Sequence, residues 1–440
     1  MKRIFLILIF GCIVSFMIHA QETITKYYPP EFKQVKEVYT ILDGDTTMID
    51  GDYIRYYEEG EIAMKGKFMA GKPNGLFIEY YEDGKVLSKT TYASGKKTGP
   101  FEVYSRSGAP IQKGNYVNGL LDGEVKTYYE DGTIKNETYF EIGTPNGIAK
   151  EYYQKGALKQ EFTYQNGKQN GVAKTFYENG QISSEFDYNN GVINGKYQTY
   201  YSNGEREWIY HYVNGYKNGA YQKFNTKGKL VEEGTYVDGI FNGLRKTYYD
   251  DGSPKEVQNF QMGAKIGQNI TYYISGEKMW VENYTKVTKD GTLKEYYRNG
   301  QLKTDQIFID GKKAKTWKTY FENGKIETET PFESGAINGI VKVYNEKGQL
   351  IKTIPYQFNR NTGIETSYFP SGKKQSETNY LNGQKSGKYT EYFESGEIKI
   401  KGNHLYDVRQ GAWNYYNKEQ KILKTENYSR GQLMSTTENE

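Results

Sequence analysis

The chain is poor in groups that could do chemistry. Its 440 residues hold three histidines and one cysteine. Cys12 falls in an N-terminal apolar run and His19 directly follows it, which leaves His211 and His404. Neither has a second histidine or a cysteine at zinc-ligand spacing. No serine elbow, phosphate-binding loop or zincin motif occurs. Asp43-Gly44-Asp45 with Asp50 could approach Ca²⁺ but lacks the spacing of a calcium loop, and a plain turn explains it better. Carboxylates paired across strands would be the groups of a glycosidase. Here they are dealt out evenly, as on a solvated face. The residues thus predict no enzyme, no cofactor and no metal site. The best local hint is aromatic. Trp208 and Trp280, the latter with Lys278 two residues before it, and Trp317 and Trp413, form two related pairs. Rings exposed on a flat sheet would anchor a protein partner or stack on sugars, so these four are the candidate partner-binding residues, with packing as the competing role.

These residues sit in a strict period. Glycine returns every 24 residues from Gly60 to Gly396 without a slip. Residues 76–99 serve as the type unit. The Tyr80 column is aromatic from Tyr56 to Tyr416, and the Tyr92 column is aromatic except at His404, which is most simply a substituted tyrosine. Two further glycine columns run through Gly95, failing at Val287, Asn359 and Asp407, and through Gly99, failing at Lys315. One small unit repeated in this way makes a solenoid or a long sheet, not a globule.

The segments between glycines are short and rich in Tyr, Phe, Thr, Val and Ile, which is strand composition. Glu-Asp-Gly84-Lys and Glu-Asn-Gly180-Gln are turn sequences in which glycine supplies a positive φ. Gly95-x-x-x-Gly99 is expected to connect one copy to the next. No apolar period of 3.6 supports a helix. The fold class is therefore all-β: an elongated, single, twisted antiparallel sheet of about sixteen tandem 24-residue hairpins over 51–431, on the order of 150 Å long at roughly 4.8 Å per strand. By parity, one face is expected to carry an aromatic ladder from the Tyr80 and Tyr92 columns, and the other a patchier apolar set from Phe77 and Tyr81. A chain with 36% hydrophobic residues and 45 tyrosines suits a thin sheet whose phenols pack by the ring and keep the hydroxyl wet. Basic and acidic residues nearly cancel, 58 against 54, without a basic stripe, which argues against nucleic acid.

The ends differ from the array. Lys2-Arg3, the apolar run Ile4 to Ile18 and Ala20 predict an export signal over 1–20, cleaved after Ala20. Lipidation at Cys12 is the disfavoured variant, because Phe10 is bulky and the run continues past the cysteine. Residues 21–50 predict an N-terminal capping hairpin, with Pro29-Pro30 halting pairing upstream. Residues 432–440 predict a disordered tail. Between 277 and 316 the pattern weakens.

Tyr92-Ala-Ser-Gly95-Lys-Lys-Thr-Gly99 resembles the MORN repeat, and the frame recurs at Tyr164 to Gly171 and Tyr212 to Gly219. The resemblance covers roughly 51–431. Phe101 stands where the eukaryotic pattern ends in glycine, and the glycine two before the Tyr92 column occurs only at Gly66, Gly114, Gly234 and Gly402. The chain is thus more similar to the bacterial MORN variant. The resemblance implies stacked hairpins in one long sheet and a role in protein interaction or scaffolding, with membrane lipid as a partner of some members. The function expected is an exported, non-enzymatic repeat scaffold that binds a protein or envelope partner at the periplasm, the cell surface or outside the cell. The alternatives are an antitoxin-like protein that masks a toxin, which the variant family's name suggests, and a carbohydrate- or cell-wall-binding module.

Overall fold

The computed structural model describes residues 20–31, 33–285 and 290–439. The expected leader, Cys12 and Val287 lie outside them. The protein is all-β, an open antiparallel sheet of tandem hairpins, and no helix occurs among the described residues. The chain divides into two compact units, up to Glu205 and from Arg206. Within each unit, strands pair with their neighbours in the chain.

The type unit shows why. Gly75–Tyr80 pairs with Val86–Ala93 from Gly75 opposite Tyr92 to Tyr80 opposite Val86. Between them the Tyr81 carbonyl accepts from Gly84 N–H (2.9 Å) and the Tyr81 N–H donates to the Lys85 carbonyl (2.8 Å). This is a type I turn closed by a left-handed glycine at φ 76°, a wider loop than a two-residue turn. Asp83 Oδ1 accepts from Lys85 N–H and fixes the corner.

The second turn is shorter than expected. Ser94 (φ 48°) and Gly95 (φ 85°) alone make it, a two-residue type I′ turn, and Lys96–Tyr104 is already strand. Gly99 lies inside that strand at a bulge. Thr90 faces Phe101 while Tyr92 faces Lys97, so the strand swallows extra residues and needs the left-handed φ of 68°. Lys315 takes the same conformation, φ 58°, without being glycine, whereas Gly291 pairs with Tyr284 without a bulge.

Register also corrects the faces. Phe77 faces Thr90, so the Phe77 and Tyr92 columns share one side, and their rings meet edge-on at 5.1 Å. Parity within one strand could not show this, because the bulges decide which residues stand opposite. The Phe77 column is the core, with Phe77, Phe101, Val125, Ala149 and Ala173 buried in unit 1 and Tyr221, Val341 and Trp413 in unit 2. The facing column compensates in size. Ala149 and Ala173 face Phe162 and Phe186, whereas Tyr53, Phe101, Tyr221 and Tyr389 face Gly66, Gly114, Gly234 and Gly402. These four glycines are spacers for rings. A Cβ on Gly66 would lie 2.5 Å from Phe77, and one on Gly402 2.3 Å from Trp413. The Tyr80 column lies on the opposite side with Lys89.

The ends are more ordered than the sequence suggests. Gln21–Tyr27 pairs with Val35–Leu42, which pairs with Ile49–Tyr56, so pairing continues upstream and Pro29-Pro30 belongs to a connection between strands. Residues Gln432–Glu438 form a last strand on Ile422–Ser429 where a tail was expected.

Two substitutions check this packing. Gly402→Val should cost about 1–3 kcal/mol through overpacking against Trp413, seen as faster amide exchange in the strands Gln384–Tyr392 to Val408–Tyr416. Lys315→Gly should stabilise its neighbourhood by about 1 kcal/mol, because it removes a left-handed lysine, and should slow exchange there.

Candidate interaction surface

The aromatic side holds all four tryptophans in packed or half-packed positions. Trp413 is 1% exposed, lies on Tyr389 (5.2 Å) and His404 (5.0 Å), and donates its indole N–H to the Asn403 carbonyl at 3.2 Å. Its ring belongs to the core. Trp317 occupies the same column between Phe308 and Phe332, donates to the Ile307 carbonyl at 2.9 Å and has Lys313 Nζ 4.5 Å over its ring. Trp208 is half-buried, stacked on Tyr210 at 5.2 Å with Lys223 Nζ 4.5 Å away. Trp280 is half-buried on Lys278–Tyr284. The structure brings the four together in no common patch. The indole column of Trp317 and Trp413 repeats the position of buried Phe77, a signal that would have marked it as core.

The histidines are likewise occupied. His404 packs edge-on to Tyr389 and Trp413 in place of a tyrosine. Burial, then Lys385 and Arg409, pushes its imidazole down. His211 Nδ1 lies 3.0 Å from the Ala220 carbonyl, in an open hollow of about 270 Å³ shared with Ile209, Tyr221, Glu233 and Leu244. Asp45 Oδ1 accepts from Thr47 N–H and Oγ1, and Asp50 Oδ2 accepts from Ala70 N–H, so the acidic triplet caps turns. Among the described residues no cluster of His, Cys, Asp and Glu could hold a metal.

The opposite side is a lattice of phenols, carboxylates and lysines. Tyr152, Tyr248 and Tyr392 donate to Glu137, Glu233 and Glu377 at 2.7 Å each, and Tyr104 to Glu102. Lys126 Nζ completes the Glu137 site at 2.9 Å. The Tyr152 hydroxyl and then Lys126 hold the Glu137 carboxyl below its usual range, and burial followed by Glu137 pushes Tyr152 up to about 12. The same side also leaves apolar residues exposed, among them Leu76, Ile148 and Val172 in unit 1 and Leu244, Ile340 and Ile364 in unit 2.

The edges differ more than the faces. The glycine-84 edge is polar. In unit 1 it presents Glu58, Glu59, Glu61, Glu82, Asp83 and Glu130. The type I′ edge is mixed, with apolar residues exposed in some of its copies. Val213, Tyr216, Val237, Ile240 and Met262 are exposed in succession along it in unit 2, as are Val117, Leu120 and Ile142 in unit 1. At its tips, four bulky side chains hold the first left-handed turn position: Ile142 (φ 46°), Met262 (48°), Phe358 (43°) and Tyr406 (49°). Other copies place Asn166, Asn190, Asn214 or Asn382 there. A β-branched or bulky residue in this conformation is strained. All four side chains point to solvent, 57% to 81% exposed. Sequence reasoning passed over this edge because single exposed Ile, Met or Phe residues carry no signal until the turn type is known.

The sequence pattern of the MORN repeat variant family matches residues 73–94, 121–141, 145–166, 169–190, 217–238, 241–262, 289–310, 315–334, 337–357, 361–382 and 385–405. These segments make up more than half of the chain, and the protein belongs to the MORN repeat variant family, a repeat scaffold. No curated protein matches it. Solved structures with a similar course include a TcdB2-TccC3-Cdc42 complex and the Photorhabdus luminescens Tc holotoxin pore with a substituted TccC3. Each is 12% identical at a TM-score of 0.15, over 94% of this chain and 27% and 26% of theirs. The chain thus spans about a quarter of those proteins, and scores this low carry no argument.

Glu426, which stands opposite Trp413 on the aromatic side, predicts an acid response. Lys424 first, then Tyr415, holds Glu426 down at about 2, against a usual value of 4.5. A carboxyl lowered in the folded state contributes stability above its ordinary value and loses it as pH falls through the folded one. The melting temperature of unit 2 should therefore drop between pH 4.5 and about 2, and Glu426→Gln should flatten that part of the profile.

Proposed function

We propose that this protein is an exported, non-enzymatic repeat scaffold that holds a protein or envelope partner along its type I′ edge. The observation that carries the reading is the set of strained, outward apolar tips at Ile142, Met262, Phe358 and Tyr406. Asparagine or glycine would relax each turn, so the bulky residues cost stability and serve nothing inside the sheet. Exposed Val117 and Leu120 lie one copy before Ile142, Val237 and Ile240 one copy before Met262, and Leu405 and Val408 flank Tyr406, so weak contacts of one kind can sum by multivalency. Export is supported by Lys2-Arg3, the apolar run to Ile18 and Ala20. The non-enzymatic part is supported by the packing of His404 against Tyr389 and Trp413 and by the hydrogen bonds of His211 and the turn carboxylates.

The combined variant Ile142→Asn, Met262→Asn, Phe358→Asn and Tyr406→Asn separates structure from binding. It should melt at or above the parent temperature, because four turns relax, while its retention on the native envelope fraction falls about tenfold or more. Unchanged retention with intact folding would contradict the edge as the binding surface.

A further inference from the structure

The first described strand of unit 1 is Gln21–Tyr27, sequence QETITKY, of which six residues are exposed. One side pairs with Val35–Leu42, from Gln21 opposite Leu42 to Lys26 opposite Glu37. No other described strand pairs with it, and among the described residues its second row of backbone donors and acceptors is an edge. Edges of this kind are usually guarded by a proline, a bulge or charged side chains, and this strand carries Glu22 and Lys26. Here the one irregularity lies at the far end, between Lys26 and Tyr27, and Pro29 and Pro30 come after the strand.

The strand is chemically palindromic about Ile24. Thr23 and Thr25 flank the isoleucine, and Glu22 and Lys26 flank the threonines with opposite charge. We propose that the chain forms a two-fold dimer by antiparallel pairing of Gln21–Tyr27 with the same strand of a second copy. With the axis at Ile24, each Glu22 faces a Lys26, each Thr23 faces a Thr25, and the two Ile24 side chains face each other. Opposite charges, threonine pairs and branched apolar pairs are the cross-strand combinations that favour a sheet. A parallel arrangement would set Glu22 on Glu22 and Lys26 on Lys26. A slip by two residues would lose both ion pairs. One register is therefore selected.

The side chains already face the right way. Ile24 stands opposite Tyr39, which is buried and lies 6.3 Å from Tyr53 at the start of the aromatic core. Lys26 Nζ sits 5.0 Å over the Tyr39 ring on that same side. A second Ile24 across the axis would continue the core columns into the other copy. The last strand of unit 2, Gln432–Glu438, offers no such match. About its centre at Ser435 it would set Gln432 against Glu438 and Leu433 against Thr437. The inference is independent of the partner assigned to the type I′ edge, although a dimer would present that edge twice.

Sedimentation velocity on the full chain, over about 1 to 100 µM, reads the association directly. The dimer fraction should rise with concentration and fall with added salt. Glu22→Lys places lysine opposite lysine and should weaken the dimer about tenfold or more. The exchange Glu22→Lys with Lys26→Glu rebuilds the palindrome and should restore the parent affinity to within about threefold. Both variants change exposed residues of an edge strand, and circular dichroism checks that they stay folded. A chain that is monomeric throughout, a dimer indifferent to Glu22→Lys, or a double exchange that fails to restore it would each overturn the proposal.

Discussion

A sheet one layer thick has nothing to press against, so each copy is held by the copies beside it. The structure meets this constraint at both edges. On the type I′ edge, the second turn residue donates its N–H to a carbonyl of the preceding copy, as Gly95 does to Pro73 and Gly263 to Phe241, both at 2.9 Å. On the other edge, a tyrosine hydroxyl donates to a carbonyl of the following copy. Tyr81 reaches Tyr104 at 2.8 Å, Tyr153 reaches Phe176 at 2.8 Å, and Tyr249 reaches Tyr272 at 2.7 Å. Each such bond has a net worth of about 1 kcal/mol, and the array repeats it. Between the edges, Phe77 and Trp413 pack on Gly66 and Gly402 of the preceding copy, and Phe101 and Tyr221 on Gly114 and Gly234 of their own. The 24-residue stride is the distance at which these contacts fall into place together.

The same constraint decides where function can reside. The aromatic side is consumed as a core, and the charged side is consumed as a lattice in which tyrosine, glutamate and lysine satisfy one another. The turn backbones are consumed by the stitches between copies. What the fold leaves free includes the side chain at each turn tip and the outer edge of a terminal strand, besides exposed apolar residues such as Leu76, Ile148 and Ile340 on the charged side. Strained apolar residues gather at the first, and a self-complementary sequence stands at the second.

Much of the fold is legible in the residues. The period, the strand character and the glycine turns follow from Gly60 to Gly396 and from the aromatic columns, and the MORN resemblance agrees with them. The faces were not legible. Which column stands behind Tyr92 depends on the bulge at Gly99, and a bulge is a property of two strands together. The role of Tyr81 was hidden for the same reason, since its hydroxyl finds an acceptor in the next copy and not in its own. Gly66 and Gly402 look like turn glycines in a list, yet they are spacers for Phe77 and Trp413 in flat strand. The tryptophans drew attention as rare, large rings, but burial of Trp413 depends on Gly402 and His404 lying over it. Strand Gln21–Tyr27 was concealed by Pro29-Pro30, which suggest an ending and in fact sit between strands.

Removal of one whole copy tests the central claim, that the protein is a row of equal units coupled only to their neighbours. Deleting residues 149–172 joins Ile148 to Ala173 in unbroken register. Hydrogen exchange on the shortened chain should then show protection in the strands on either side of the junction close to that of the parent. Loss of protection throughout the unit would show that the copies fold as one indivisible body, and would contradict the account.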